Sequence, residues 1–543
     1  MTRKDFIKGS VCAGLSGAGG WAFADGRPVW LSDLGRVSPT ANYWCTWRTQ
    51  FRDRDPDERD ARNSMNGKKL FGPDGWARTQ FKSARDGLYF VLDDGWDVPF
   101  NANAGEGRHL FGSLEIDEGR FPAFKGTPGE RLRQLNDAAK ACGWRGAGLW
   151  VACQTAGDRE HGGRVLLPRE KFIEDTKRKL VWSQEAGIEY WKVDWGARSM
   201  IAEFRTLMYE LKEKYAPSVR IEHAECQTVV NGIDAAPKDV SAPLTGSFRL
   251  LGDPKSAARE AFAKAVLANS DYFRTYDILT SVMGTATTLE RCAFYLKCAD
   301  AVGARSILST EDEVYLAVGL GLSFGVMRAD WPNWKPLPCH WRQAHRRLAE
   351  IRRAVRWDRL APAFSSASGV RTLWSEKTKA ESADLVREAH WYRNGWGRRV
   401  TQTAPAVMSR GLPIPVVRPV DGDQPFVVAS RNPKTRAVAV AALASVAPGR
   451  MERTVPCDVE VKAALDEPVP FGVFGAFRSL TFDCGRKVRV FAQDLAGGEI
   501  HDITDRVVFA DGRAILPGEL VAKIGKEADR DLSEPGTLLW TQG

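Results

Sequence analysis

The sequence predicts an α/β chain, a (β/α)8 barrel over residues 25–360 followed by an all-β sandwich over residues 361–543. Three observations carry that reading. The 543 residues exceed the roughly 250–400 of a single barrel, leaving room for one further domain. Between about 40 and 330, short apolar or aromatic runs alternate with helical stretches, the pattern of a parallel sheet with crossover helices. Past about Ala361 the runs become short and alternating and lie between Gly, Pro, Asp and Asn signals, as in a β-sandwich.

Eight strands are expected: Tyr43–Trp47, Leu88–Trp96, Gly146–Gln154, Glu189–Gly196, Arg220–Cys226, Asp271–Ile278, Ala304–Thr310 and Gly325–Ala329. Eight such units suggest closure into a barrel. Gly129–Ala141, Pro168–Gly187 and Ala202–Tyr215 read as amphipathic helices between them, and a basic helix over His340–Arg356 ends the barrel. In the second domain, Phe426–Ala429, Ala437–Ala442, Val459–Val461 and Lys487–Phe491 read as strands.

Composition excludes several classes. The net charge of +9 is spread among nearly as many acids, with no basic stripe of the kind that binds nucleic acid. No run of about 18 apolar residues predicts a membrane span. With seven His and no H-x-H or H-E-x-x-H, a metal-dependent hydrolase is disfavoured. Trp is abundant at 19; indoles stack on the apolar faces of sugar rings, though many serve only as core. Of ten cysteines none forms a C-x-x-C pair, and most read as buried small hydrophobes. Residues 1–24 read as a leader. Thr2-Arg3-Lys4-Asp5-Phe6-Ile7-Lys8 resembles a twin-arginine export motif, and Ala22-Phe23-Ala24 fits an A-x-A cleavage site. Export to a periplasmic or extracellular destination is therefore expected.

Functional groups in such barrels sit where strands end. Strand 2 ends in Leu92-Asp93-Asp94-Gly95-Trp96, strand 4 in Lys192-Val193-Asp194-Trp195, strand 5 in Glu222-His223-Ala224-Glu225-Cys226 and strand 6 in Arg274-Thr275-Tyr276-Asp277. Carboxylates among aromatics at several strand ends suit glycoside cleavage. One carboxylate attacks the anomeric carbon and another protonates the leaving oxygen. Asp194 is the expected nucleophile, with Lys192 two residues earlier on the same face to keep it ionised. Asp277 is the expected acid/base, with Arg274 to steady it or to hold a hydroxyl; a helix-capping role for Asp277 is equally open. The adjacent Asp93 and Asp94 would repel each other unless ligated, and a pair of sugar hydroxyls would satisfy both. No cofactor is expected, because two carboxylates suffice.

Together these motifs resemble clan D glycoside hydrolases: families 27 and 36 and the plant raffinose-synthase and alkaline α-galactosidase group. Tyr43-Trp44-Cys45-Thr46-Trp47 is similar to the plant group's Gly-Trp-Cys-Thr-Trp, and Asp93-Asp94-Gly95-Trp96 to the family's Asp-Asp-Gly-Trp. Phe121-Pro122 and Gly148-Leu149-Trp150 fall where the family has Phe-Pro and Gly-Leu-Trp. Lys192-Val193-Asp194 matches the nucleophile motif, and Arg274-Thr275-Tyr276-Asp277 resembles Arg-Ala-Ser-Asp. The resemblance implies a retaining α-galactosidase-like enzyme acting on an oligosaccharide or polysaccharide. It implies Asp194 as nucleophile, Asp277 as acid/base, and Asp93 and Asp94 on the 4- and 6-hydroxyls of a galactose-like ring. Lys192, Arg274 and Cys226 would be further sugar contacts, and Trp47 would line the pocket floor. Ile278 and Arg48 depart from the plant pattern, and the barrel-then-sandwich layout is closer to family 27. The alternatives are an α-N-acetylgalactosaminidase or other clan α-glycosidase, a galactosyl transferase, and a non-catalytic glycan-binding barrel.

Overall fold

The computed structural model describes residues 23–24, 27–53, 61–102, 111–153, 168–194, 196, 198–199, 201–224, 257–275, 284–330, 347–375, 379–381, 399–401, 404–420, 425–445, 453–465 and 468–543. Eight parallel strands close into a barrel. They are β1 (Tyr43–Cys45), β2 (Tyr89–Leu92), β3 (Ala147–Val151), β4 (Tyr190–Val193), β5 (Arg220–Ala224), β6 (Tyr272–Arg274), β7 (Ile307–Glu311) and β8 (Ser323–Val326). Each overlaps an expected strand, though β7 ends one residue past Thr310 and β8 begins two residues before Gly325. The leader read over residues 1–24 lies almost wholly outside the described residues.

Strand alternation divides the barrel's side chains between two environments. Tyr43, Cys45, Tyr89, Val91, Tyr190 and Tyr272 point inward and pack together. Their neighbours Trp44, Phe90, Leu92, Trp191 and Val193 point outward to the helices. The inward tyrosines fill the barrel floor, with Tyr89 and Tyr190 stacked at 5.6 Å between ring centroids. Space for Tyr43 comes from Gly325 on the adjoining β8, where a Cβ would lie 2.3 Å from the Tyr43 ring. The crossover helices start on local signals. Pro128–Ala141 begins with Pro at its first turn and a capping box, Thr127 and Glu130 each bonding the other's backbone N–H. Arg169–Glu185 and Ala202–Tyr215 match expectation to within two residues.

The helix expected over His340–Arg356 instead spans Ala349–Leu360, with residues 331–346 outside the described set. It is no solvated basic helix. Glu350, Arg353 and Asp358 are buried. Asp358 accepts from Thr40 Oγ1 at 2.8 Å and Asn42 Nδ2 at 2.9 Å, at the entry to β1. Arg353 grips Asp494 of the β domain at 2.9 and 3.0 Å.

Beyond residue 370 the chain forms a nine-stranded and a five-stranded sheet, with a separate two-stranded pair. The two large sheets share a core, with Val427, Val438 and Val440 of one meeting Val459, Leu480 and Leu516 of the other. The nine-stranded sheet is buried on both faces, because Phe426, Val428, Ala439 and Ala441 on its other side join the barrel's core. No helix among the described residues is long and apolar enough to cross a membrane.

Candidate active site

Parallel strands carry their C-terminal ends to one face of the barrel, so residues distant in sequence meet there. Asp93 follows β2, Asp194 follows β4, Arg274 ends β6 and Glu311 ends β7. Asp194 is 7% exposed. Its Oδ2 accepts from Trp150 Nε1 at 2.9 Å, and Arg274 Nη2 lies 3.2 Å from its Oδ1. Arg205 Nη2 donates to its backbone carbonyl at 3.2 Å. A carboxylate between a guanidinium and an indole N–H is oriented and favoured in its charged form.

Among the described contacts, the ion pairs of Lys192 are with carboxylates other than the expected Asp194. Its Nζ pairs with Asp93 Oδ2 at 3.0 Å and Glu311 Oε1 at 3.2 Å. Lys192 is inward on β4, level with Asp93 and Glu311, whereas Asp194 has already left the strand at its end. The cation beside Asp194 is Arg274, which also meets Glu222 at 3.1 Å through Nε and Glu311 at 3.5 Å through Nη1. Asp277, the expected acid/base, and Cys226 lie outside the described residues.

Asp93 is ligated within the protein. Besides Lys192, its Oδ2 accepts from the Cys45 thiol at 3.0 Å, and Oδ1 accepts from Asp94 N at 2.8 Å. Burial, then the Asp93 charge, pushes the Cys45 thiol well above its usual range, so it stays a donor. Asp94 turns the other way. Its Oδ2 takes Arg62 Nε at 2.9 Å and Nη2 at 2.7 Å, while its buried Oδ1 has no hydrogen-bond partner among the described residues. Burial raises the Asp94 carboxyl to about 6 against the lowering effect of Arg62. The mutual repulsion of the Asp pair is offset within the protein by Lys192 on one side and Arg62 on the other. Trp47 is half-buried at the start of its helix and packs on the inward tyrosine cluster.

Glu222 and Glu311 also join the site, with no role expected of them from sequence. Tyr190 donates to Glu222 Oε2 at 2.7 Å and Tyr43 to Glu311 Oε1 at 2.6 Å. Burial, then the neighbouring glutamates, holds both phenols well above their usual range, so each remains a donor. Their signal in the sequence was period-two alternation. Glu222 shares an inward register with Tyr272, and Glu311 lies one residue past the expected end of its strand. No group of three or more His, Cys, Asp or Glu among the described residues could hold a metal ion.

No family model and no curated protein matches the chain. Solved structures resemble it weakly. A family 27 β-L-arabinopyranosidase from Geobacillus stearothermophilus has 10% identity and a TM-score of 0.38, covering 94% of this chain and 98% of its own. An α-galactosidase from Saccharomyces cerevisiae has 10% identity and a TM-score of 0.38, covering 94% and 98%. The carboxyl transferase domain of Rhizobium etli pyruvate carboxylase has 14% identity and a TM-score of 0.29, covering 61% and 50%. At these identities and scores the likenesses say nothing about activity or substrate.

Proposed function

We propose that the chain is a retaining, exo-acting α-glycosidase that removes terminal α-galactose-type residues from an oligosaccharide or polysaccharide. The observation that carries the reading is Asp194, at the C-terminal end of β4, with one oxygen on Arg274 and the other on Trp150. In this reading an Asp194 oxygen bonds to the anomeric carbon as the glycosidic C–O bond breaks, and Asp277 gives its proton to the leaving oxygen. Asp277 then takes a proton from water, whose oxygen displaces Asp194 and frees the sugar. The Asp94 Oδ1 acceptor suits a sugar hydroxyl, and Lys192 and Asp93 form the adjoining wall. Residues 1–24 would direct the enzyme out of the cytoplasm.

The test is release of nitrophenol from α-galactoside, α-N-acetylgalactosaminide, α-glucoside and β-galactoside by residues 25–543, alongside Asp194→Ala and Asp277→Ala. Turnover of an α-glycoside, lost in Asp194→Ala and restored in part by azide, is expected. Full activity in Asp194→Ala, or cleavage of the β-galactoside alone, would sink the assignment.

A further inference from the structure

Six buried charges of the barrel interior form one connected set. Asp93, Asp194, Glu222 and Glu311 are the acids, and Lys192 and Arg274 the cations. Lys192 holds Asp93 and Arg274 holds Asp194. Among the described contacts, Glu311 pairs with both cations. Glu311 places Oε1 3.2 Å from Lys192 Nζ and Oε2 3.5 Å from Arg274 Nη1. Tyr43 fixes that carboxylate from below at 2.6 Å. In the glycosidase reading Glu311 contacts no reacting atom and has no part in the bond-breaking steps.

We propose that Glu311 is a positioning residue that couples the sugar-holding wall to the nucleophile by sharing Lys192 and Arg274 between them. The physical reason is charge division. A guanidinium devoted to Asp194 alone would hold its carboxylate so strongly that its nucleophilicity would fall. Glu311 and Glu222 draw on the same guanidinium, leaving Asp194 ionised and oriented yet reactive. Glu311 also spans the gap between Lys192 and Arg274, so a displacement at Asp93 is felt at Asp194. Among the described residues, other groups near Asp194 include Arg205 at its carbonyl, the Asp94 carboxyl and the neutral, buried Cys153 thiol. None of these bridges Lys192 to Arg274 among the described contacts.

Glu311→Gln keeps the shape and removes one negative charge. Three carboxylates then face two cations, so the set's excess negative charge falls from two to one, both cations keep carboxylate partners, and the variant folds. Trp150 donates to Asp194, so its indole resonance, followed by fluorine NMR in fluorotryptophan-labelled protein and assigned with Trp150→Phe, reports ionisation of that carboxylate. In Glu311→Gln the pH midpoint of that resonance falls by about one pH unit, since a like charge is gone and Arg274 is less divided. Glu311→Asp, which keeps the charge, returns the midpoint toward the parent value. Tyr43→Phe, which keeps the charge and drops one hydrogen bond, moves it less.

The step from this coupling to catalysis rests on the proposed function. There kcat falls in Glu311→Gln by up to about 100-fold, more than KM rises, and the acid limb of kcat/KM moves to lower pH. An unmoved Trp150 midpoint, or a kcat within about twofold of the parent, overturns the inference. A parent protein that cleaves no glycoside defeats the proposed function instead, and the midpoint alone then decides whether Glu311 tunes Asp194.

Discussion

Trp150 Nε1 donates to Asp194 Oδ2 at 2.9 Å while Arg274 Nη2 stands 3.2 Å from Oδ1, so the two carboxylate oxygens have different partners. The indole fixes the plane of the carboxylate, and the guanidinium supplies charge. These contributions separate by mutation.

Trp150→Phe removes one donor to Asp194 and leaves every charge in place. We expect kcat/KM to fall roughly 10- to 100-fold, the size of a lost hydrogen bond to a charged group. The chemical-denaturation free energy should fall by about 2 kcal/mol or less. Loss of stability without loss of rate would show that the indole is only core.

Arg274→Met should behave in the opposite proportion. It leaves Asp194, Glu222 and Glu311 without their shared guanidinium in the barrel interior. Breaking such a set by removing one partner costs about 3–5 kcal/mol. Arg274→Lys keeps the charge but loses the planar fork, so its denaturation midpoint should lie between parent and Arg274→Met. Equal stability of Arg274→Met and the parent would refute the shared-guanidinium account.

Asp94 ties substrate binding to pH. Burial raises its carboxyl to about 6, and Arg62 opposes that rise. Above that value the ionised Oδ1 accepts from a sugar hydroxyl, and KM for the productive glycoside should rise as the pH falls through about 6. Arg62→Met removes the lowering influence, so the rise in KM should begin at higher pH. A KM profile identical in the two proteins would detach Asp94 from the sugar.

Asp97, in the same loop, tests burial without function. Burial pushes its carboxyl to about 7 from 3.8, against a backbone hydrogen bond from Leu114. The folded value is the raised one, so its contribution is fully present below about pH 3.8 and is lost as the pH rises through about 7. Asp97→Asn removes that loss. Its stability relative to the parent should therefore improve between pH 4 and pH 8 by on the order of 2–4 kcal/mol. The pH dependence from neutral, buried His223 is common to both proteins and cancels. A constant difference across that range would contradict the assignment.

The legible part of the site was what short motifs carry: Asp93-Asp94-Gly95-Trp96 and Lys192-Val193-Asp194 stood out because acids flanked by aromatics are rare within apolar runs. All eight barrel strands were equally plain, since each is a short apolar run between helical patterns. What was hidden was pairing. Proximity in sequence couples Lys192 to Asp194, yet strand-to-strand geometry pairs it with Asp93 and Glu311 across the barrel. Arg62 comes from the excursion between β1 and β2, 32 residues from Asp94, and no periodicity announces it. Period-two alternation turns Glu222 and Glu311 inward, but their shared contact with Arg274 follows only from closure, which places β5 and β7 on either side of β6.

The dependence of the barrel on the β domain gives a last prediction. Phe426, Val428, Ala439 and Ala441 belong to the barrel's own core cluster. The helix Val314–Leu320 approaches that sheet so closely that a Cβ at Gly319 would lie 2.6 Å from Val428 Cγ2. Arg410 closes the same helix by donating to the Leu320 carbonyl at 2.7 Å, and Arg353 reaches Asp494 at 2.9 Å. A chain ended at Leu360 would expose the apolar side of that helix and strip Arg353 of the Asp494 carboxylate it pairs with. Residues 25–360 alone should therefore aggregate or lack fixed near-ultraviolet dichroism, and residues 25–543 should unfold in one calorimetric transition. A soluble, cooperatively melting 25–360 fragment would show instead that the barrel completes its core without the sheet.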